Sequence, residues 1–308
     1  MGVVNKLLVL IGPTAVGKTE LSIRLAERFD GEIVSADSRL FYRGMDIGTA
    51  KPSLAQRSRV AHHLVDIREP DETVGLAQYQ KLAYEAIDRV LMRGQLPILV
   101  GGTGQYVMAI VEGWGIPEVP PHPALRKELT CLGELELSRW LRELDAKAAD
   151  NIDARNIRRV VRALEVILCT GRPMSELQRK CAPPYDICIV GLNRDREMLY
   201  ERIDLRVQQM FADGLVDEVR NLKMSGYGNE QPSMSGLGYR QTLSFLEGEL
   251  TFEEAQQRIK FETHRFARQQ NSWFRQDDRR IQWFDISDDM AEDAVVEFVE
   301  HWSNNTVS

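Results

Sequence analysis

Cysteine is scarce in this chain: Cys131, Cys169, Cys181 and Cys188 are the only four in 308 residues, and no two form a CxxC pair. That argues against a disulfide framework and a thiolate zinc site, and for a reducing compartment, with the cytoplasm expected. No apolar run approaches the roughly 18 residues that a membrane span needs. Met1-Gly2-Val3-Val4-Asn5 leads straight into an apolar strand, so no targeting leader is expected, and Lys6 stands where a myristoylation signal needs Ser or Thr. An excess of positive charge is missing too. With 39 Lys and Arg against 46 Asp and Glu, the net charge is -7, which argues against nonspecific coating of nucleic acid but leaves local patches open. Repeats and low-complexity stretches are absent. What remains, 43% hydrophobic and 28% charged, is the composition of a globular protein of about two domains.

Within that composition one stretch carries chemistry. Residues 7–11, Leu-Leu-Val-Leu-Ile, are too short for a helix and read as a strand buried on both faces of a parallel sheet. Gly12-Pro13-Thr14-Ala15-Val16-Gly17-Lys18-Thr19 follows, with the spacing of a P-loop, whose wrapped backbone turns its N–H groups toward a di- or triphosphate. Lys18 adds a point charge, Thr19 offers a hydroxyl to Mg²⁺, and the helix starting near Lys18 presents its positive end. The loop reads phosphate, whatever group is attached to it.

A second strand over residues 32–36 runs into Asp37-Ser38, then Arg39-Leu40-Phe41-Tyr42. Beyond the carboxyl end of a parallel strand, Asp37 and Ser38 face the P-loop crevice, as an acid beside a bound phosphate or as the cap of a turn. Residues 44–52, Gly-Met-Asp-Ile-Gly-Thr-Ala-Lys-Pro, read as an ordered loop over the site, and residues 62–67 as another strand. His62 and His63 point to opposite strand faces, so a structural role is expected of them. Helical periodicity over residues 75–93 gives a crossover helix, followed by a strand at 96–101. That strand ends in Gly101-Gly102-Thr103-Gly104, where many P-loop ATPases carry a metal-binding acid. Its glycines predict close approach of the backbone to a ligand, or a plain turn before a helix.

Four prolines within residues 117–123 mark a boundary, after which strands vanish and helices are expected at 124–132, 135–144 and 155–170. The expectation is a P-loop NTPase-like α/β core with a parallel sheet flanked by helices, residues 1–115 and 185–308, interrupted by an all-helical insertion domain, residues 116–184. Arg155, Arg158, Arg159 and Arg162 recur on one helical face, which reads as a contact for phosphate backbone, or as a merely solvated face. The core resumes with a strand at 187–192 and a helix whose Arg202 and Arg206, one turn apart, suit a diphosphate clamp or internal ion pairs. Ser235-Gly236-Leu237-Gly238-Tyr239-Arg240 reads as a loop able to stack and bond a nucleotide, or as an ordinary turn. A helix over residues 251–275, capped by Thr251 with Glu254, carries a second basic face, followed by a strand at 280–285 and a helix at 290–302.

Taken together, Gly12 to Thr19, Asp37-Ser38 with Tyr42, residues 44–52, Gly101-Gly102-Thr103 with Tyr106, Arg162-Ala163-Leu164-Glu165 and Gly238-Tyr239-Arg240-Gln241 resemble the tRNA dimethylallyltransferase family of bacterial type. The resemblance implies transfer of a dimethylallyl group from dimethylallyl diphosphate to N6 of the adenosine 3′ of the anticodon, with the P-loop holding the diphosphate and hydrolysing no nucleotide. It implies Asp37 as base, Lys18, Thr19, Mg²⁺ and Arg206 on the departing pyrophosphate with Arg202 beside them, and Thr103, Asp37, Ser38, Arg39 and Leu40 around the flipped adenine. It implies a grip on the anticodon stem by Arg126, Arg158, Arg159, Val160, Val161 and Arg162. The anticodon loop would fall to Ser235 through Arg240 and to Arg268, Gln269, Gln270, Trp273 and Arg275. Where relatives usually read Lys-Arg-Gln this chain has Arg268-Gln269-Gln270, one cation fewer. A monomer is expected. The competing expectation is a P-loop kinase of a small metabolite or nucleotide.

Overall fold

The computed structural model describes residues 5–288 and 290–305; most of Met1 to Asn5, read above as carrying no leader, lies outside them. Six strands, β1 (Lys6–Ile11), β2 (Gly31–Ser35), β3 (His62–His63), β4 (Leu96–Gly101), β5 (Asp186–Asn193) and β6 (Ile281–Asp285), form one sheet in the order β3-β2-β4-β1-β5-β6. All its pairings are parallel. The apolar run of β1 therefore sits mid-sheet, with Leu7 to Ile11 buried, as a strand covered on both faces must be. Because every strand points the same way, the segments after β1, β2 and β4 emerge on one edge: the P-loop, Asp37 and Thr103.

The chain divides into two compact units, one of residues 1–75, 79–107 and 184–308, the other of residues 76–78 and 108–183. Around the sheet run α1 (Lys18–Arg28), α2 (Leu54–Arg59), α3 (Leu76–Met92) and α4 (Gly104–Val111). The second unit holds α5 (Pro123–Cys131), α6 (Glu134–Leu144), α7 (Ala146–Asn151), α8 (Ile157–Thr170) and α9 (Met174–Leu177). The first resumes with α10 (Arg196–Ala212), α11 (Leu215–Met224), a 3₁₀ turn at Pro232–Ser235, α12 (Tyr239–Leu246), α13 (Phe252–Gln270) and α14 (Ala291–Asn304).

Several expected boundaries move. The strand expected over residues 62–67 is two residues long, because Leu64 and Asp66 take left-handed backbone (φ 62° and 55°) and Asp66 turns to meet Lys51 and Arg57. Of its histidines, His62 lies with Nδ1 2.8 Å from the Val60 carbonyl and lines the first cavity described below, and His63 pairs with Glu32. The helix capped reciprocally by Thr251 and Glu254 stops at Gln270, so Trp273 and Arg275 ride on a turn. Helix α8 starts after its cap Asn156, which leaves Arg155 outside it and paired to Asp153.

In the second unit, Leu129, Leu137, Leu141, Val160 and Leu164 close a core of their own. The unit also buries two carboxylates, Asp145 and Glu165, and the Glu165 side chain is fully buried. Arg126 donates to both its oxygens at 2.8 and 2.7 Å, Arg162 adds 2.6 Å and the His122 amide 2.7 Å. Burial alone would raise this carboxyl; the bonds from Arg126, His122 and Arg162 outweigh it and hold it at about 2.

Candidate active site

Several contacts keep the P-loop in its cradle shape. Ala15 is held in left-handed backbone at φ 63°, a conformation that a non-glycine residue adopts only under support from its surroundings. Lys18 folds back over the loop and donates from Nζ to the carbonyls of Gly12 (2.9 Å) and Pro13 (2.8 Å). From α10, Arg202 donates to the Ala15 carbonyl at 3.0 Å and Arg206 to Thr14 Oγ1 at 3.4 Å. Three cations thus meet around the loop. Burial lowers Lys18 to about 8, partly offset by Asp37 and reinforced by Arg206, and burial also lowers Arg206.

Two cavities open on either side of Asp37. The first, of about 430 Å³, is lined by charged Lys18, Asp37, Arg202, Arg206 and Glu20, by Thr19 and His62, and by apolar Ile33, Leu40, Val65 and Val100. It matches an anion with a short apolar tail. The second, of about 740 Å³, is lined by Ser38, Thr103, residues 235–240, Phe266, Gln269 and Trp273, a mixture of rings and hydrogen-bonding groups that suits nucleobases. Thr14, Ala15, Asp37, Thr49 and Arg206 line both. Asp37 is fixed there by an Asx turn, with Oδ1 accepting from the Arg39 amide at 2.9 Å.

The residues expected on RNA divide into groups. Ser38, Arg39, Thr103, Ser235, Gly236, Leu237, Gly238, Tyr239, Arg240, Gln269, Gln270 and Trp273 line the second cavity; Leu40 lines the first. Several are engaged internally. Arg39 donates to the carbonyls of Pro232 and Ser233, Arg240 pairs with Glu262, and Arg275 with Asp277. Tyr239 is buried, its hydroxyl donating to Glu218 at 2.6 Å. Arg268 donates to the Tyr200 hydroxyl at 2.7 Å and does not line either cavity. In the second unit Val160 and Val161 are buried, so their side chains are core packing, and Arg126 and Arg162 are committed to Glu165. Arg158 and Arg159 stay exposed.

Sequence reasoning overlooked Glu218 on α11. Its carboxylate accepts from the amides of Asp46 (2.9 Å), Ile47 (2.8 Å) and Gly48 (3.1 Å), pinning the 44–52 loop whose Thr49 borders both cavities. Nothing in the local pattern signals it, because the role exists only once α11 meets the loop. The glycines after β4, read as close approach of backbone to a ligand, line the two cavities, Gly101 the first and Gly102 and Gly104 the second, and they also leave space for protein side chains. A Cβ on Gly102 would lie 2.1 Å from Gln270 Nε2, and one on Gly104 2.1 Å from Trp273 Cγ. Gly104→Ala is therefore expected to push the indole from its seat and to destabilise the protein by about 1–3 kcal/mol despite the better helix propensity of alanine, as chemical denaturation will measure.

No group of three or more His, Cys, Asp and Glu side chains able to hold a metal occurs among the described residues. Mg²⁺ does not require one, since it keeps several waters and takes its other ligands from substrate phosphates. The Thr19 hydroxyl beside Lys18 in the first cavity fits that donor set.

Comparison with known proteins agrees with this geometry. The model of the IPP transferase family matches residues 40–277. A tRNA dimethylallyltransferase of Roseiflexus sp. (strain RS-1) is 53% identical over 273 residues, covering 87% of this chain and 90% of its own. One from Thermomicrobium roseum is 49% identical over 282 residues, 90% and 85% of the two chains. Among solved structures, the full-length tRNA isopentenylpyrophosphate transferase of Bacillus halodurans superposes with a TM-score of 0.72 at 38% identity, covering 96% of both chains. A eukaryotic dimethylallyltransferase acting on tRNA gives a TM-score of 0.84 at 25% identity, over 99% of this chain and 81% of the other.

Proposed function

Because the chain belongs to the IPP transferase family, we infer that it transfers a dimethylallyl group from dimethylallyl diphosphate to N6 of the adenosine 3′ of the anticodon, giving N6-isopentenyladenosine in tRNA and pyrophosphate. The observation that carries the reading is the pair of cavities converging on Asp37, one cationic with an apolar wall and one suited to a base. The relatives' names favour transfer over the kinase reading.

In the proposed reaction a bond forms from N6 to the allylic carbon while the carbon–oxygen bond to the diphosphate breaks. The exocyclic amine is a weak nucleophile, and its proton passes to the Asp37 carboxylate as the new bond forms. Thr103 and Ser38 hold the base, which has left the anticodon loop to enter the second cavity. The negative charge growing on the leaving oxygen is met by Lys18, Arg206 and Arg202, preorganised groups in a partly desolvated site where such stabilisation is strongest. Thr19 would hold Mg²⁺ in this site, and the ion would supply Lewis-acid neutralisation of the same charge. Arg158 and Arg159 contact the anticodon stem. The enzyme is proposed to work as a monomer, in the cytoplasm where tRNA is found.

Mass analysis of tRNA incubated with the protein and dimethylallyl diphosphate tests the reading: one isopentenyl increment on the adenosine 3′ of the anticodon is expected, and triphosphate turnover without tRNA would overturn it. A pH dependence follows from Lys18. Its lowered value of about 8 leaves it mostly cationic at pH 7 and mostly neutral by pH 9. The KM for the donor is therefore expected to climb by about tenfold between pH 7 and 9, as initial rates at several donor concentrations will report.

A further inference from the structure

Gln270 was expected on RNA, yet it is 5% exposed and both ends of its amide are used inside the protein. Oε1 accepts from the Thr14 amide of the P-loop at 2.8 Å, and Nε2 donates to the Gly102 carbonyl at 2.9 Å. Gly102 immediately precedes Thr103, and Thr14 accepts from Arg206. One side chain therefore ties the loop that cradles the anion to the strand end that borders the base cavity. It does so at the C-terminus of α13, where the neighbouring Gln269 and Trp273 line that second cavity. The glycine at 102 leaves the space this amide occupies.

We propose that Gln270 is a positioning residue of the transfer step, setting the spacing between the diphosphate cradle and the base-holding Thr103. The inference rests on the prenyl-transfer reading. Gln270 lines the second cavity, but both ends of its amide are spent on Thr14 and Gly102, so its loss leaves the other binding groups of each cavity in place and the two substrates misaligned, and misalignment by about an ångström costs on the order of 100-fold in rate. Methionine has similar volume and neither hydrogen bond. Glutamate can accept from the Thr14 amide, and only when protonated can it also donate to the Gly102 carbonyl.

The test compares steady-state kinetics of the wild-type enzyme, Gln270→Met and Gln270→Glu with tRNA and dimethylallyl diphosphate, alongside hydrogen exchange at the Thr14 amide. For Gln270→Met, kcat is expected to fall by 10- to 100-fold with both KM values within threefold, and the Thr14 amide to exchange faster. For Gln270→Glu, kcat relative to wild type is expected to recover as the pH is lowered, which a purely structural role would not produce. A Gln270→Met enzyme with kcat within twofold of wild type, or a loss carried wholly by KM, overturns the proposal. An inactive wild-type enzyme refutes the prenyl-transfer reading instead, and unchanged Thr14 exchange in Gln270→Met then overturns the positioning role without any turnover.

Discussion

Replacing Asp37 by asparagine is expected to slow prenyl transfer by about 10²- to 10⁴-fold, the usual contribution of a positioned general base. Asparagine keeps the size of the side chain and can still accept from the Arg39 amide, so the Asx turn that fixes residue 37 survives. What it loses is the ability to take up the proton of the attacking amine. Single-turnover rates measure the effect, and tRNA affinity within threefold of wild type shows that the base cavity is intact. A rate within tenfold of wild type would remove Asp37 from the role of base.

Glu165→Ala is expected to cost about 3–5 kcal/mol, concentrated in residues 108–183, because it strips a buried carboxylate from two arginines and an amide, leaving Arg162 with the Val119 carbonyl. Hydrogen exchange should show the loss over α5 and α8 while the sheet stays protected. Acid should act through the same group. Its folded value of about 2 lies below the ordinary 4.5, so the stabilisation, about 3 kcal/mol, is complete above pH 4.5 and disappears as the pH falls toward 2. Glu165→Gln should flatten that acid limb; an unchanged acid transition in the variant would locate the sensitivity elsewhere.

What could be read from the residues and what could not follows a physical line. The P-loop, β1, β4 and β5 were legible because their signal is local: an apolar run, a glycine spacing, a helix start. Asp37 was legible as a strand-end acid. Helices α11 and α12 were not foreseen, since short segments of mixed polarity owe their form to the core they cover. Arg162 looked like part of an exposed basic face; its commitment to Glu165, three residues on, depends on Arg126 arriving from another helix. That the Gln270 amide donates to the Gly102 carbonyl was not legible, because 168 residues separate the two in the chain.

The central strand has a consequence for how the enzyme comes into being. Leu7 of β1 lies beside Ile187 of β5, so during synthesis one edge of that strand waits for some 180 residues to emerge before it is paired. Residues 108–183 close their core from neighbours in the chain and can fold early on the ribosome. The P-loop, by contrast, gains its last brace only when Gln270 has been made. The catalytic centre is thus completed late in synthesis, and a chain ended before Gln270 lacks this brace on its P-loop.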